Sequence, residues 1–219
     1  MPYNRRLATA PRRKVVAVMG SAKEAAADAP PPLKSAYAVL AVLTAMNLLN
    51  YVDRFILASV IEPVQNDLGF ANNDHAAGII ASVFLVSYSI FSIPVGWLGD
   101  RVPRKYLVAF GVGVWSLATF LSGAVDSYGQ MLAARAVLGI GEAAYAVLAP
   151  GIIGDYFSRS RRNRMLTIFY LAIPVGAALG FVLGGQLEAH FGWRWAFRAV
   201  GLPGLAAALL ARALPEPRR

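Results

Sequence analysis

The sequence predicts an all-α membrane protein of six transmembrane helices in two groups of three. Three observations predict it. First, the composition is too apolar for a soluble domain of 219 residues: 57% hydrophobic and 15% charged, with a mean hydropathy of +0.52. Second, apolar runs of membrane length recur. His75 to Gly99, Tyr106 to Val125 and Met165 to Leu187 carry no Lys, Arg, Asp or Glu, and about 18 or more such residues span a bilayer as a helix. Third, basic residues crowd alternate loops, the positive-inside pattern.

Residues 1–33 are rich in Arg, Ala and Pro and read as a disordered, basic cytoplasmic tail. Pro30-Pro31-Pro32 forms a stiff spacer into the first helix. Val15 to Met19 is too short for a signal-peptide core, and Met19 is an alternative start. The six-helix bundle covers 34–214. Span one, 35–61, is apolar except for Asp53-Arg54. Spans two and three, 76–99 and 106–125, are separated by a short basic loop. Span four, 128–154, is interrupted by Arg135 and Glu142. Span five, 165–187, repeats glycine at Gly176, Gly180 and Gly184, one helix face that lets backbones approach closely. Span six, 195–213, is the weakest because Arg198 shortens its clean stretch. A 3+3 arrangement is the half-unit of twelve-helix membrane proteins built from repeats. Residues 215–219 then read as the start of a central loop, and the chain as an N-terminal fragment lacking a C-terminal six-helix half.

The net charge is +9, but its distribution argues against nucleic acid as a partner. Arg5, Arg6, Arg12, Arg13, Lys14, Lys23 and Lys34 precede span one, and Arg101, Arg104 and Lys105 follow span two. Arg159, Arg161, Arg162 and Arg164 follow span four, and Arg212, Arg218 and Arg219 end the chain. The other loops hold Glu62, Asp67, Asp74, Asp126 and Glu188, with Arg194 and Arg198 as exceptions. Both termini are therefore expected in the cytoplasm, with the bundle in a bacterial inner membrane. There is no cysteine, which excludes disulfides, thiolate chemistry and Cys-ligated metals. His75 and His190 fall at outer helix ends and read as interfacial. No cofactor, metal site or enzymatic motif is expected; paired catalytic Asp, His-Glu-x-x-His and Gly-x-Ser-x-Gly patterns are missing from the spans.

Asp53, Arg54, Arg135 and Glu142 are the functional clue. A charge at bilayer depth costs at least about 2.5–3.5 kcal/mol, so such residues are rare and usually functional. Helix rise places Asp53, Arg54 and Arg135 about 11–12 Å below the outer end, and Glu142 about 21 Å down, level with Asn47. If spans one and four face each other, Asp53 meets Arg135 and Asn47 bonds Glu142. Asn47, Asn50 and Arg54 share a face, and Arg135 and Glu142 share another. Glu142, with no adjacent base, and Asp53 are the candidate proton carriers. Protonating either frees an arginine for an anionic head group. Tyr51, Tyr88, Tyr145, Phe169 and Tyr170 are candidates to line an amphipath pathway. The alternative reading of the four charges is a static, neutral salt-bridge network.

The loop Gly96-Trp97-Leu98-Gly99-Asp100-Arg101-Val102-Pro103-Arg104-Lys105 resembles the signature between helices two and three of the major facilitator superfamily, with Pro103 in place of the usual Gly. Asn50-Tyr51-Val52-Asp53-Arg54-Phe55, the stretch Arg135 to Tyr145, Phe169 to Gly176 and Gly192-Trp193-Arg194-Trp195 resemble spinster-type members. The resemblance covers about 35–219. It implies an N-terminal half of that fold and secondary active transport, proton-coupled in bacterial members, of lysophospholipids, sphingolipid-type amphipaths or related anions. By the same resemblance Asp100, Arg101 and Arg104 belong to an inner-gate charge relay with Asp155. Arg54, Arg135, Asn47, Asn50, Tyr145 and Tyr170 are the candidate substrate contacts. Two alternatives stay open: an organic anion–cation symporter, which shares the Asp-Arg and Gly-x-x-Glu-Ala patterns, and a truncated, non-transporting membrane scaffold or pseudogene product. The expected partners are membrane lipid, an anionic or amphipathic small molecule, protons and the missing half.

Overall fold

A computed structural model describes residues 33–215. The expected tail, apart from Leu33, and residues 216–219 lie outside the described residues. Seven helices follow one another: α1 Leu33–Ser59, α2 Ile61–Asp67, α3 Asp74–Gly99, α4 Arg104–Ser122, α5 Tyr128–Tyr156, α6 Arg159–Phe191 and α7 Trp193–Arg212. No strand is present among the described residues. Five helices (α1 from Ser35, α3, α4, α5 and α6) are long and apolar enough to cross a membrane. The sixth predicted span, α7, falls short of that standard; Arg194, Arg198 and Arg212 dilute its apolar stretch.

Helix starts follow local chemistry. Asn73 caps α3 by accepting from the Ala76 amide at 2.9 Å. Ser127 caps α5 by accepting from the Gln130 amide, and Gln130 reaches back to accept from the Asp126 amide at 2.8 Å. Gly192, at φ 82°, makes the sharp turn between α6 and α7 that a side chain would resist.

The packing is pairwise. α1 lies along α6, α3 and α4 both lie on α5, and α7 lies on α4. The glycine stripe of α6 forms the α1 contact: a methyl at Gly180 would sit 2.7 Å from the Val52 carbonyl oxygen, and one at Gly176 2.8 Å from that of Leu48. α5 is the most enclosed spanning helix, whereas α3 and α6 leave much apolar surface exposed. With the end that holds the α1 N-terminus called inner, one apolar core gathers the inner halves, with Leu43, Trp115, Tyr145 and Ile153. A second gathers the outer halves, with Ile56, Ile80, Met131 and Phe197. The intramembrane charges sit along the helices between these two cores.

Candidate functional site

Asn47, Asn50, Asp53, Arg135 and Glu142 are all buried. Arg54 keeps 30% of its side chain exposed, so it is the member of the cluster with an open side. α1 supplies Asn47, Asn50, Asp53 and Arg54, and α5 supplies Arg135 and Glu142. Together the two acids and two arginines sum to zero charge. That lowers the cost of holding them at depth, provided they stay mutually close.

The partners differ from those that depth alone predicts. Glu142 pairs with Arg54, whose Nη2 donates to Oε2; it does not lack an adjacent base. Helical side chains lean toward the N-terminus of their helix. On α1 that direction is inward, so a long arginine reaches a carboxylate well below its own Cα. Asn47 does not bond Glu142. Its amide donates to the Phe169 carbonyl of α6 at 3.0 Å, because the glycine stripe draws this face of α1 onto α6. Asn50 is the asparagine beside Glu142, near enough to act on the carboxylate, although its Nδ2 completes no hydrogen bond of good geometry.

Asp53 accepts from the Thr119 hydroxyl of α4, a residue that sequence reasoning missed. The charge of Arg135 acts on both Asp53 and Glu142, but Arg135 makes no ion-pair contact with Asp53; its Nε and Nη2 reach no protein acceptor. Its guanidinium instead packs over the Phe197 ring, 5.1 Å from the centroid. Arg54 lies between Phe84 at 4.8 Å and Tyr51 at 5.0 Å. Asp53 Oδ1, Glu142 Oε1 and Arg54 Nε are likewise buried without a protein partner. Buried polar groups are normally satisfied, so this cluster has hydrogen-bonding capacity left for water or a ligand.

A cavity of about 440 Å³ opens beside the cluster. Arg54 and Arg135 line it, and Leu57, Ile80, Phe84 and Leu138 supply an apolar wall. Tyr145 does not line it: buried at 1% exposure, its hydroxyl donates to the Leu43 carbonyl and its ring meets Trp115 edge-on. Tyr170 stands on the half-exposed face of α6 against Phe169.

At the inner end, Arg104 is the joining residue. It lies 2.9 Å from Asp155 and 3.7 Å from Asp100. Arg101 does not reach Asp155; it stacks on Trp97 at 3.8 Å and donates to the Trp97 carbonyl. At the outer end Arg194, an exception to the loop charge pattern, is neutralised. It pairs with Asp67 and with Asp126, the latter at 3.1 Å, and donates to the Val125 carbonyl. The Trp193 indole adds a bond to Asp67 at 3.2 Å.

Comparison with known proteins agrees with this architecture. Residues 43–219 match the family model of the Major Facilitator Superfamily. The chain belongs to that superfamily and is a multi-pass integral membrane protein. Within it the chain is spinster-like. It is 41% identical over 188 residues to protein spinster of Drosophila melanogaster, covering 85% of this chain and 31% of the fly protein. It is 41% identical over 185 residues to protein spinster homolog 1 of Homo sapiens, covering 83% and 35%. Two solved structures of a bacterial homologue of the human lysosomal transporter Spinster, both inward-facing, one occupied and one unoccupied, match with TM-scores of 0.77 and 0.78. Identity to them is 27% and 26%, over 84% and 87% of this chain and 45% of each solved one. The chain thus spans about a third of the length of these curated relatives.

Proposed function

We propose that this six-helix unit is the N-terminal half of a proton-coupled secondary transporter, working with a second six-helix half that supplies the other wall of the site. Its substrate is an anionic amphipath of the lysophospholipid or sphingolipid type. The observation that carries this reading is a cavity lined by two arginines and otherwise by apolar residues. A phosphate or carboxylate head takes bidentate bonds from a guanidinium, and the apolar wall accepts a chain.

Charge balance supplies the coupling. The set Asp53, Arg54, Arg135 and Glu142 is neutral, so an added anion leaves one uncompensated buried charge unless a proton enters with it. Glu142 is the primary carrier, because protonating it releases Arg54 to the substrate. Asp53 is the second, beside Arg135. Asn50 tunes Glu142, while Asn47 and Tyr145 hold α1 against α6 and α5; Tyr170 faces the region where the second half would pack. Arg104, with Asp100 and Asp155, ties the α3–α4 turn to the inner end of α5 as a gate, and Arg101 braces that turn on Trp97. Both termini lie in the cytoplasm.

The test is uptake into liposomes by this unit together with its second half. Lysophospholipid uptake is expected, with a loss of about 10–100-fold for Arg54→Ala or Arg135→Ala as a charged hydrogen-bond donor is removed. Uptake of small organic anions alone would overturn the amphipath assignment.

A further inference from the structure

Asp53 touches neutral Thr119, and that contact poses a problem in hydrogen counting. The Thr119 hydroxyl lies against Asp53 Oδ2 and is also 3.0 Å from the Trp115 carbonyl oxygen, one turn earlier on α4. It is wholly buried. A hydroxyl has a single proton to give, and the structure offers it two acceptors. Both contacts are full two-centre hydrogen bonds at once only if Asp53 carries a proton and donates it to Thr119 Oγ1, while Thr119 donates to Trp115. When Asp53 is ionised, Thr119 turns its proton to Oδ2. Trp115 is not then orphaned, because its carbonyl keeps the helical bond from the Thr119 amide.

We propose that Thr119 is the positioning residue for the Asp53 proton, a two-position hydroxyl whose rotation records whether Asp53 is charged. This rests on the reading of Asp53 as a proton site. The proton lost by Asp53 goes to bulk water; the hydroxyl proton stays on Thr119 and changes acceptor. The bond to ionised Asp53 is charge-assisted and about twice as strong as the neutral one, so Thr119 favours release. The charged groups acting on Asp53 are Arg54 on its own helix and Arg135 and Glu142 on α5, with Thr119 the neutral donor from α4. Neither α6 nor α7 adds one. Ser116 and Ser122, three residues either side of Thr119, are buried too, but Ser122 returns its proton to the Ala118 carbonyl.

The experiment is infrared difference spectroscopy of the purified chain across a pH titration, following the protonated-carboxyl band. Asp53→Asn should remove one band, which assigns it. Thr119→Val, of nearly equal volume, should move the midpoint of that band about one pH unit upward, a tenfold gain in proton affinity. Thr119→Ser should restore the parent midpoint. If Asp53→Asn removes the band and Thr119→Val leaves the midpoint in place, the role given to Thr119 is wrong while the proton site stands. If Asp53→Asn removes no titrating band, the reading of Asp53 fails and this proposal with it. Thr119→Ala is read in the same way if the valine variant does not fold.

Discussion

Arg54 and Glu142 set the terms at the scale of single residues. A buried ion pair adds little net stability, but breaking one partner leaves an uncompensated charge. Arg54→Ala is expected to destabilise the detergent-solubilised bundle by about 3–5 kcal/mol. Replacing both residues, as Arg54→Met with Glu142→Leu, should cost much less than the sum of the single changes. Thermal unfolding of Arg54→Met, Glu142→Leu and the double variant checks this; additive losses would show that the two side chains do not act as a pair. The four charges were legible in the sequence because charge at membrane depth stands out against an apolar background. Their pairing was not legible. Cα depth ignores the inward lean of a helical arginine, and that lean decides that Glu142 meets Arg54 and not Asn47. Thr119 was missed because a threonine in an apolar span draws no notice. Its signal is the three-residue spacing of Ser116, Thr119 and Ser122, one buried hydroxyl stripe on α4.

Pairs of helices fix where those residues point. α1 faces α6 because glycines at Gly176, Gly180 and Gly184 remove the side chains between them, and this contact presents Asn47 to α6. Gly180→Val should force the two backbones apart and cost about 1–3 kcal/mol as an overpacked contact; an unchanged unfolding midpoint would show that the stripe is not the closest approach. The stripe could be read from the sequence as a packing face. Its partner helix could not, since spacing along one helix carries no information about the neighbour. The outer loops are joined by a second device, Arg194 between Asp67 and Asp126. The Arg194 guanidinium bonded to Asp67 holds that carboxyl below the usual carboxylate range. A carboxyl lowered by folding stabilises the protein at pH values above its unfolded value, about 3.9. That contribution fades as pH falls through the lower, folded value. Both side chains are partly exposed, so the effect stays under about 1 kcal/mol. Unfolding midpoints between pH 3 and pH 7 should fall more steeply for the parent than for Asp67→Asn, and parallel curves would contradict the clasp.

For the whole molecule, the bundle is a neutral polar site clamped between two apolar cores, with basic residues at one end. We propose that this end faces the cytoplasm. Because the chain has no cysteine, single cysteines report topology directly. Arg161→Cys should react only with a reagent supplied from the cytoplasmic side, and Asn72→Cys only from the opposite side; the reverse pattern would invert the assignment. The order of the five long apolar helices was visible in hydropathy and loop charge, since both are summed over many residues. The weakness of the sixth span was visible too, in Arg198, and α7 is the helix that falls short as a membrane crossing. The cavity was not visible, because its wall draws on α1, α3 and α5 at once. We propose that Glu142 exchanges a proton for its hold on Arg54 and thereby couples substrate movement to the proton gradient. The direct measurement is gradient-driven accumulation of lysophospholipid in liposomes by the unit with its second half, for parent and Glu142→Gln. Accumulation against a concentration gradient should collapse in Glu142→Gln while downhill exchange persists. Undiminished gradient-driven accumulation in the variant would contradict it.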